Sequence, residues 1–101
     1  MIYSEMTDLE INKAVASACL DEWYDNGICV VRCGDEDRNI FNPCNSWADA
    51  GPIIEKSRMS LTPYAGGWHV FNDDAEKIYT DENPLRAAMI IFLMMQESNN
   101  A

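Results

Sequence analysis

His69 is the one histidine in the chain and the first candidate for proton-transfer chemistry. A general base needs a carboxylate or a nucleophile within reach. His69 stands in Trp68-His69-Val70-Phe71-Asn72, a segment of strand composition, where a half-buried sheet histidine is the more economical reading. The serines are scattered, so no Ser-His-Asp order can be assembled around it. Cys19, Cys29, Cys33 and Cys44 contain no C-x-x-C pair. On a strand, Cys29 and Cys33 would share a face about 13 Å apart, an awkward span for joint ligation of one metal even with His69 added. Buried thiols acting as small apolar residues are expected instead. Gly66-Gly67 lacks the following Lys-Ser/Thr and helix of a phosphate loop. No catalytic residue, cofactor or metal is expected, and an enzyme is disfavoured.

The carboxylates are more informative. Seventeen acidic residues face seven basic ones, for a net charge of -10. Such a surface repels nucleic acid, whose binding requires phosphate neutralisation, and anionic membranes. Neither is expected as a partner. The acids come in knots: Asp21-Glu22-Trp23-Tyr24-Asp25, Asp35-Glu36-Asp37, Asp73-Asp74-Ala75-Glu76 and Asp81-Glu82. None has the glycine and final glutamate of a calcium loop. They read either as solvated turns that confer solubility or as an acidic surface for a basic protein. Aromatic rings beside acids suit the second reading, since rings supply contact area and charges steer. Asp21, Glu22, Trp23, Tyr24, Asp25, Asp35, Glu36, Asp37, Asp73, Asp74 and Glu76 are therefore the candidate protein-binding residues. Trp47 is expected to close the core. A different class of function would be a small-molecule or nucleotide pocket lined by Trp68, His69 and Tyr79.

These residues must be positioned by one domain, because 101 residues build a single core. The longest apolar run, residues 87–95, falls far short of the roughly 20 residues that cross a bilayer. The first residues lack a basic stretch followed by an apolar one, so no secretory signal is expected and the cytoplasm of the host cell is. Residues 1–6 and 98–101 read as flexible ends around a domain at 7–97, and Met6 reads as an alternative start.

Along the chain, Thr7-Asp8-Leu9-Glu10 matches a capping box. Ile11, Ala14, Val15, Ala18 and Cys19 then give one apolar helical stripe, with Asn12, Lys13 and Ser17 facing water. Asp25-Asn26-Gly27 is a turn. Residues 28–33 form a short β-branched strand, and residues 39–41 return as its hairpin partner. A second helix spans about 46–58, with Pro52 either kinking it or starting it afresh. Extended segments follow at 59–63, 68–72 and 77–80. Asn83 then caps a last helix with Pro84 at its first position. That helix is apolar nearly all round, whereas a surface helix needs only one apolar stripe.

The expected fold is α+β, a helix-sheet-helix layered domain in the order α-β-β-α-β-β-β-α. Three helices accompany one antiparallel or mixed sheet of four to five short strands. The last helix belongs at the centre of one sheet face. If the other helices leave Ile90, Ile91 and Met94 uncovered, a homodimer through residues 84–95 would cover them.

Three segments carry a family resemblance: Leu9-Glu10-Ile11-Asn12-Lys13-Ala14-Val15-Ala16, Asn45-Ser46-Trp47-Ala48-Asp49-Ala50-Gly51-Pro52-Ile53-Ile54-Glu55-Lys56, and Asn83-Pro84-Leu85-Arg86-Ala87-Ala88-Met89. They resemble the NinX-like proteins of lambdoid phages and the phage ABA sandwich domain group, over about residues 7–96. The resemblance implies a small phage or prophage protein with helices on both faces of a sheet, and it supplies no catalytic residues to carry over. The acidic turn at Asp35-Glu36-Asp37 and the short Tyr64-Ala65-Gly66-Gly67 turn depart from the pattern and bear on partner choice. The functional expectation is an acidic accessory protein that binds a host or phage protein with a basic surface, countering a host defence or a nucleic-acid-binding complex.

Overall fold

The computed structural model describes residues 2–33 and 40–100. A short 3-10 turn, Tyr3–Glu5, precedes α1 (Asp8–Cys19), β1 (Trp23–Asp25), β2 (Val30–Arg32) and β3 (Ile40–Phe41). Then come α2 (Trp47–Ser57), β4 (Ser60–Tyr64), β5 (Gly67–Phe71), β6 (Ile78–Asp81) and α3 (Pro84–Asn100). The class is α+β, as expected. The single sheet is replaced by two three-stranded antiparallel sheets, β1-β2-β3 and β4-β5-β6. The order is therefore α-β-β-β-α-β-β-β-α, with one strand more than expected before α2.

The extra strand is β1, hidden in the sequence among Asp21, Glu22 and Asp25. It pairs with β2 in the register Trp23↔Arg32, Tyr24↔Val31, Asp25↔Val30. The turn between them is built by two side chains. Asp25 Oδ1 accepts from the Gly27 N–H at 2.7 Å, and Asn26 Oδ1 accepts from the N–H groups of Ile28 and Cys29. Gly27 sits at φ +91°, a conformation that glycine adopts without Cβ strain. These bonds lift Ile28 out of the expected strand and leave it 85% exposed.

Helix α3 is the hub. It packs on β5 and β6 on one side and against α1 and α2 on the others, while α1 also meets β2. Helices thus fill the middle and the sheets lie outside them, in place of helices on both faces of one sheet. The outer face of the second sheet carries the exposed Thr62, His69 and Thr80. Ile90 and Ile91 are 0% exposed within one chain, so no second copy is needed to cover this helix. Its start is set by Asn83, whose Oδ1 accepts from the N–H groups of Leu85 and Arg86. The helix continues through Asn100, past the end expected from its apolar stretch. No helix among the described residues is long and apolar enough to cross a membrane.

The capping box of α1 is formed as read: Glu10 N–H donates to Thr7 Oγ1 at 3.1 Å and Thr7 N–H to Glu10 Oε1 at 2.8 Å. The buried stripe differs, comprising Ile11, Asn12, Val15 and Ala16. Helix α2 runs unbroken through Pro52. It ends on Arg58 in the left-handed region (φ 57°, ψ 49°), a common way to terminate a helix. Trp47, expected in the core, is 58% exposed, and Tyr3, expected in a flexible end, is buried against the core.

Candidate functional site

Strand alternation sorts the acidic-aromatic knot at residues 21–25. Successive side chains point to opposite faces. Trp23 packs against the hydrophobic core, while Tyr24 stays 54% exposed. Tyr24 shares its face with Val31 and Ile40, which it reaches through the registers Tyr24↔Val31 and Val31↔Ile40. Ile40 is 59% exposed, so the outer face of the first sheet shows two large apolar side chains near the acids. Asp21 and Glu22 are exposed and line an open groove of about 440 Å³ together with Leu20, Arg32 and Cys33.

Asp25 has structural work of its own. The Gly27 N–H that it accepts, followed by the neighbouring Lys13 ammonium at 3.1 Å, holds its carboxyl below the usual carboxylate range. Arg32, at the groove, reaches Asp49 with Nη2–Oδ1 at 2.6 Å, and its guanidinium lies 5.0 Å from the Phe41 ring centroid. Asp49 Oδ2 also accepts from the Asn42 N–H, which ties the start of α2 to the end of the first sheet.

The other knots go elsewhere. Asp35, Glu36 and Asp37 lie outside the described residues. Asp73, Asp74 and Glu76 form the β5–β6 turn on the second sheet. Asp73 approaches Arg58 at 3.5 Å and Glu76 approaches Lys77 at 3.5 Å, while Asp74 Oδ1 accepts from the Glu76 N–H. Asn72 organises this turn from inside by accepting the Lys77 N–H on Oδ1 at 2.8 Å.

The pocket trio does not converge. Cross-strand partners share a face. The registers Trp68↔Asp81 and Val70↔Tyr79 put Trp68 and Tyr79 on the face toward α3. His69, paired with Thr62 and Thr80, takes the opposite face. There it stacks on Tyr64, with centroids 4.3 Å apart, and its Nδ1 lies 3.0 Å from Thr80 Oγ1. The cysteines are also spread out: Cys44 is buried, Cys29 half-buried, Cys19 and Cys33 exposed, and all four are free. Burial pushes the Cys44 thiol up to about 12, aided by the Asp8 carboxylate. That is the opposite of what a nucleophilic thiol requires.

Sequence reasoning missed Ile28, Ile40 and Ile78 as exposed apolar residues. Their only signal was position, next to turns or on two- to five-residue strands with one open face. The described residues hold no cluster of three or more His, Cys, Asp or Glu suited to a metal ion.

No curated protein and no solved structure matches the chain. A family model described as Bacteriophage P22, NinX matches residues 2–96, which include the capped α1, the Trp47-Ala48-Asp49 start of α2 and the Asn83-Pro84 start of α3. The chain belongs to the bacteriophage P22 NinX family.

Proposed function

We propose that this phage accessory protein acts by binding a protein partner with a basic surface, through the outer face of β1 and the acids that lead into it. The partner class would be a host defence or nucleic-acid-binding complex that the phage gains by occupying. One observation carries the reading. Tyr24 is exposed on an edge strand directly after the exposed Asp21 and Glu22, while Trp23 anchors the same strand to the core. This gives a rigid aromatic contact beside steering charges. The charge balance supports it: Lys13, Arg32, Arg58, Lys77 and Arg86 each lie in an ion pair with a carboxylate. The surplus of acid therefore dominates the field that a partner meets.

The test is affinity capture from phage-infected host cells at low and high salt, with wild type and with the double variant Asp21→Asn, Glu22→Gln. The expected result is a partner held at low salt, released at high salt and lost by the double variant. The same partner set under all four conditions would sink the electrostatic reading.

A further inference from the structure

The hydrogen-bond ladder fixes which way the backbone of β6 points. Asn72 N–H donates to the Lys77 carbonyl at 3.2 Å, continuing the register Val70↔Tyr79, Trp68↔Asp81. Antiparallel partners alternate between bonded and non-bonded pairs. Lys77, Tyr79 and Asp81 therefore turn their backbone groups toward β5, and Ile78 and Thr80 turn theirs toward the open edge. The side chains agree, because the closer approach of a non-bonded pair brings His69 Nδ1 and Thr80 Oγ1 to 3.0 Å. Among the described residues, no strand pairs with that edge.

The remaining edges are less suited to receive a strand. Tyr64↔Gly67 closes a two-residue turn, so Leu61 and Pro63 face the open edge of β4, and Pro63 has no N–H to offer. Strand β1 carries Asp25 close after Asp21 and Glu22, and β3 is two residues long. On β6, Ile78 is 57% exposed. The outer face it shares with Thr80, Thr62, Tyr64, His69 and Phe71 holds no carboxylate, although the chain carries a net charge of -10. Two copies can approach there without setting acid against acid.

We propose that β6 pairs antiparallel with β6 of a second copy about a twofold axis, with Ile78 opposite Thr80 of that copy. In this register both outward-facing residues form bonded pairs, giving about four backbone hydrogen bonds. Tyr79 meets its own equivalent, and Lys77 comes opposite Asp81 of the second copy, a favourable cross-strand pair. Slipping two residues one way sets Ile78 against Glu82, and the other way sets Lys77 against Tyr79. Charge complementarity thus selects one register of a self-complementary edge. The two second sheets join into one continuous sheet across a small interface of the transient class.

This pairing is independent of the partner-binding reading and has the opposite salt dependence. Each chain repels its copy through its net charge, so added salt strengthens self-association while it weakens docking to a basic partner. Sedimentation equilibrium over about a hundredfold range of concentration, at low and high salt, reads the pairing directly. The expected mass rises from 11.4 kDa toward twice that value, more readily at high salt. Thr80→Pro removes an outward N–H that the β5–β6 ladder does not use, and Ile78→Lys places a charge on the exposed edge. Each is expected to weaken association at least about tenfold with an unchanged circular dichroism spectrum. Should the proline variant fail to fold, the lysine variant decides. Monomeric wild type under every condition, or wild-type association by a folded edge variant, overturns the pairing.

Discussion

Arg86 and Asp8 stand 78 positions apart in the chain, yet Arg86 Nη1 and Asp8 Oδ1 are 2.6 Å apart. The pair joins the first turn of α3 to the first turn of α1. Arg86 Nη2 also donates to the carbonyls of Met6 at 2.6 Å and Tyr3 at 3.3 Å, and Asp8 Oδ2 accepts from Asn45 Nδ2 at 3.1 Å. Asn83 adds a bond from its Nδ2 to the Cys44 carbonyl at 2.7 Å. One guanidinium thereby holds the N-terminal turn, and the network around it holds the loop before α2 and the starts of two helices. The Leu85-Arg86-Ala87 stretch of the family resemblance is accounted for by this architectural role.

Replacing Arg86 by Met keeps the stem volume and removes the planar fork of donors. Its side chain is 14% exposed, so the carbonyls and the Asp8 carboxylate lose a partner with little water to replace it. We expect a loss of about 3 kcal/mol, read as a lower urea midpoint with an unchanged slope. Asp8→Asn should lose less, because Asn45 and the Met6 and Tyr3 carbonyls keep part of the network together.

Asn12 is 4% exposed on α1. Its Nδ2 donates to Asn42 Oδ1 at 2.8 Å, and its Oδ1 accepts from the Cys44 N–H at 3.1 Å. Asn12→Leu leaves that buried N–H without an acceptor, and about 2 kcal/mol of stability should be lost. A calorimetric melting temperature equal to that of wild type would count against this account.

Asn12 also shows where the sequence could be read and where it could not. Caps and turns were legible because their chemistry is local: Thr7 with Glu10, Ser46 with Asp49, and Asn83 before Pro84 behave as their types dictate. The class and the central position of α3 followed from its all-round apolarity. The stripe on α1 was misread because polarity placed Asn12 in water, whereas a partner 30 positions away places it in the core. Strand β1 was missed for a related reason, since Asp21, Glu22 and Asp25 mask an alternation only three residues long. Of the site, the Tyr24 and acid cluster was legible as composition. The split between an anchoring Trp23 and an exposed Tyr24 required the pairing with β2.

Alkaline pH should loosen the fold. Burial raises the Tyr3 phenol from 10.0 to about 12, with the nearby Glu97 carboxylate adding to the shift, and burial raises the Cys44 thiol from 9.0 to about 12. The folded chain keeps these protons where the unfolded chain releases them. Stability is therefore full below pH 9 and declines as pH rises from 9 toward 12. Denaturant midpoints measured from pH 7 to 11 should fall along this window. A thiol reagent near pH 8 should label the exposed Cys19 and Cys33 but spare Cys44 until denaturant is added.

A Cβ added at Gly67 would lie 2.6 Å from the backbone carbonyl oxygen of Asp81. Backbone on both sides leaves no flexible end to yield. Gly67→Ala should force β5 and β6 apart at their joined end and cost about 2 kcal/mol. Gly51 has no atom within 4 Å of its added Cβ and lies inside α2. Gly51→Ala should raise stability by about 0.5 to 1 kcal/mol. Melting temperatures moving in opposite directions for the two variants would bear out both statements.

The two aromatic residues of β1 should separate stability from binding. Trp23 packs against the core, and Trp23→Ala should lose about 3 kcal/mol through the cavity it leaves. Tyr24, exposed by 54%, has little to lose on truncation, and Tyr24→Ala should keep its melting temperature within about 0.5 kcal/mol of wild type. If Tyr24 is the contact that the acids deliver to a partner, the same variant should weaken capture at least about tenfold at low salt. Full retention of the partner by a folded Tyr24→Ala chain would remove this face from the interface. A large loss of stability would instead make Tyr24 part of the scaffold.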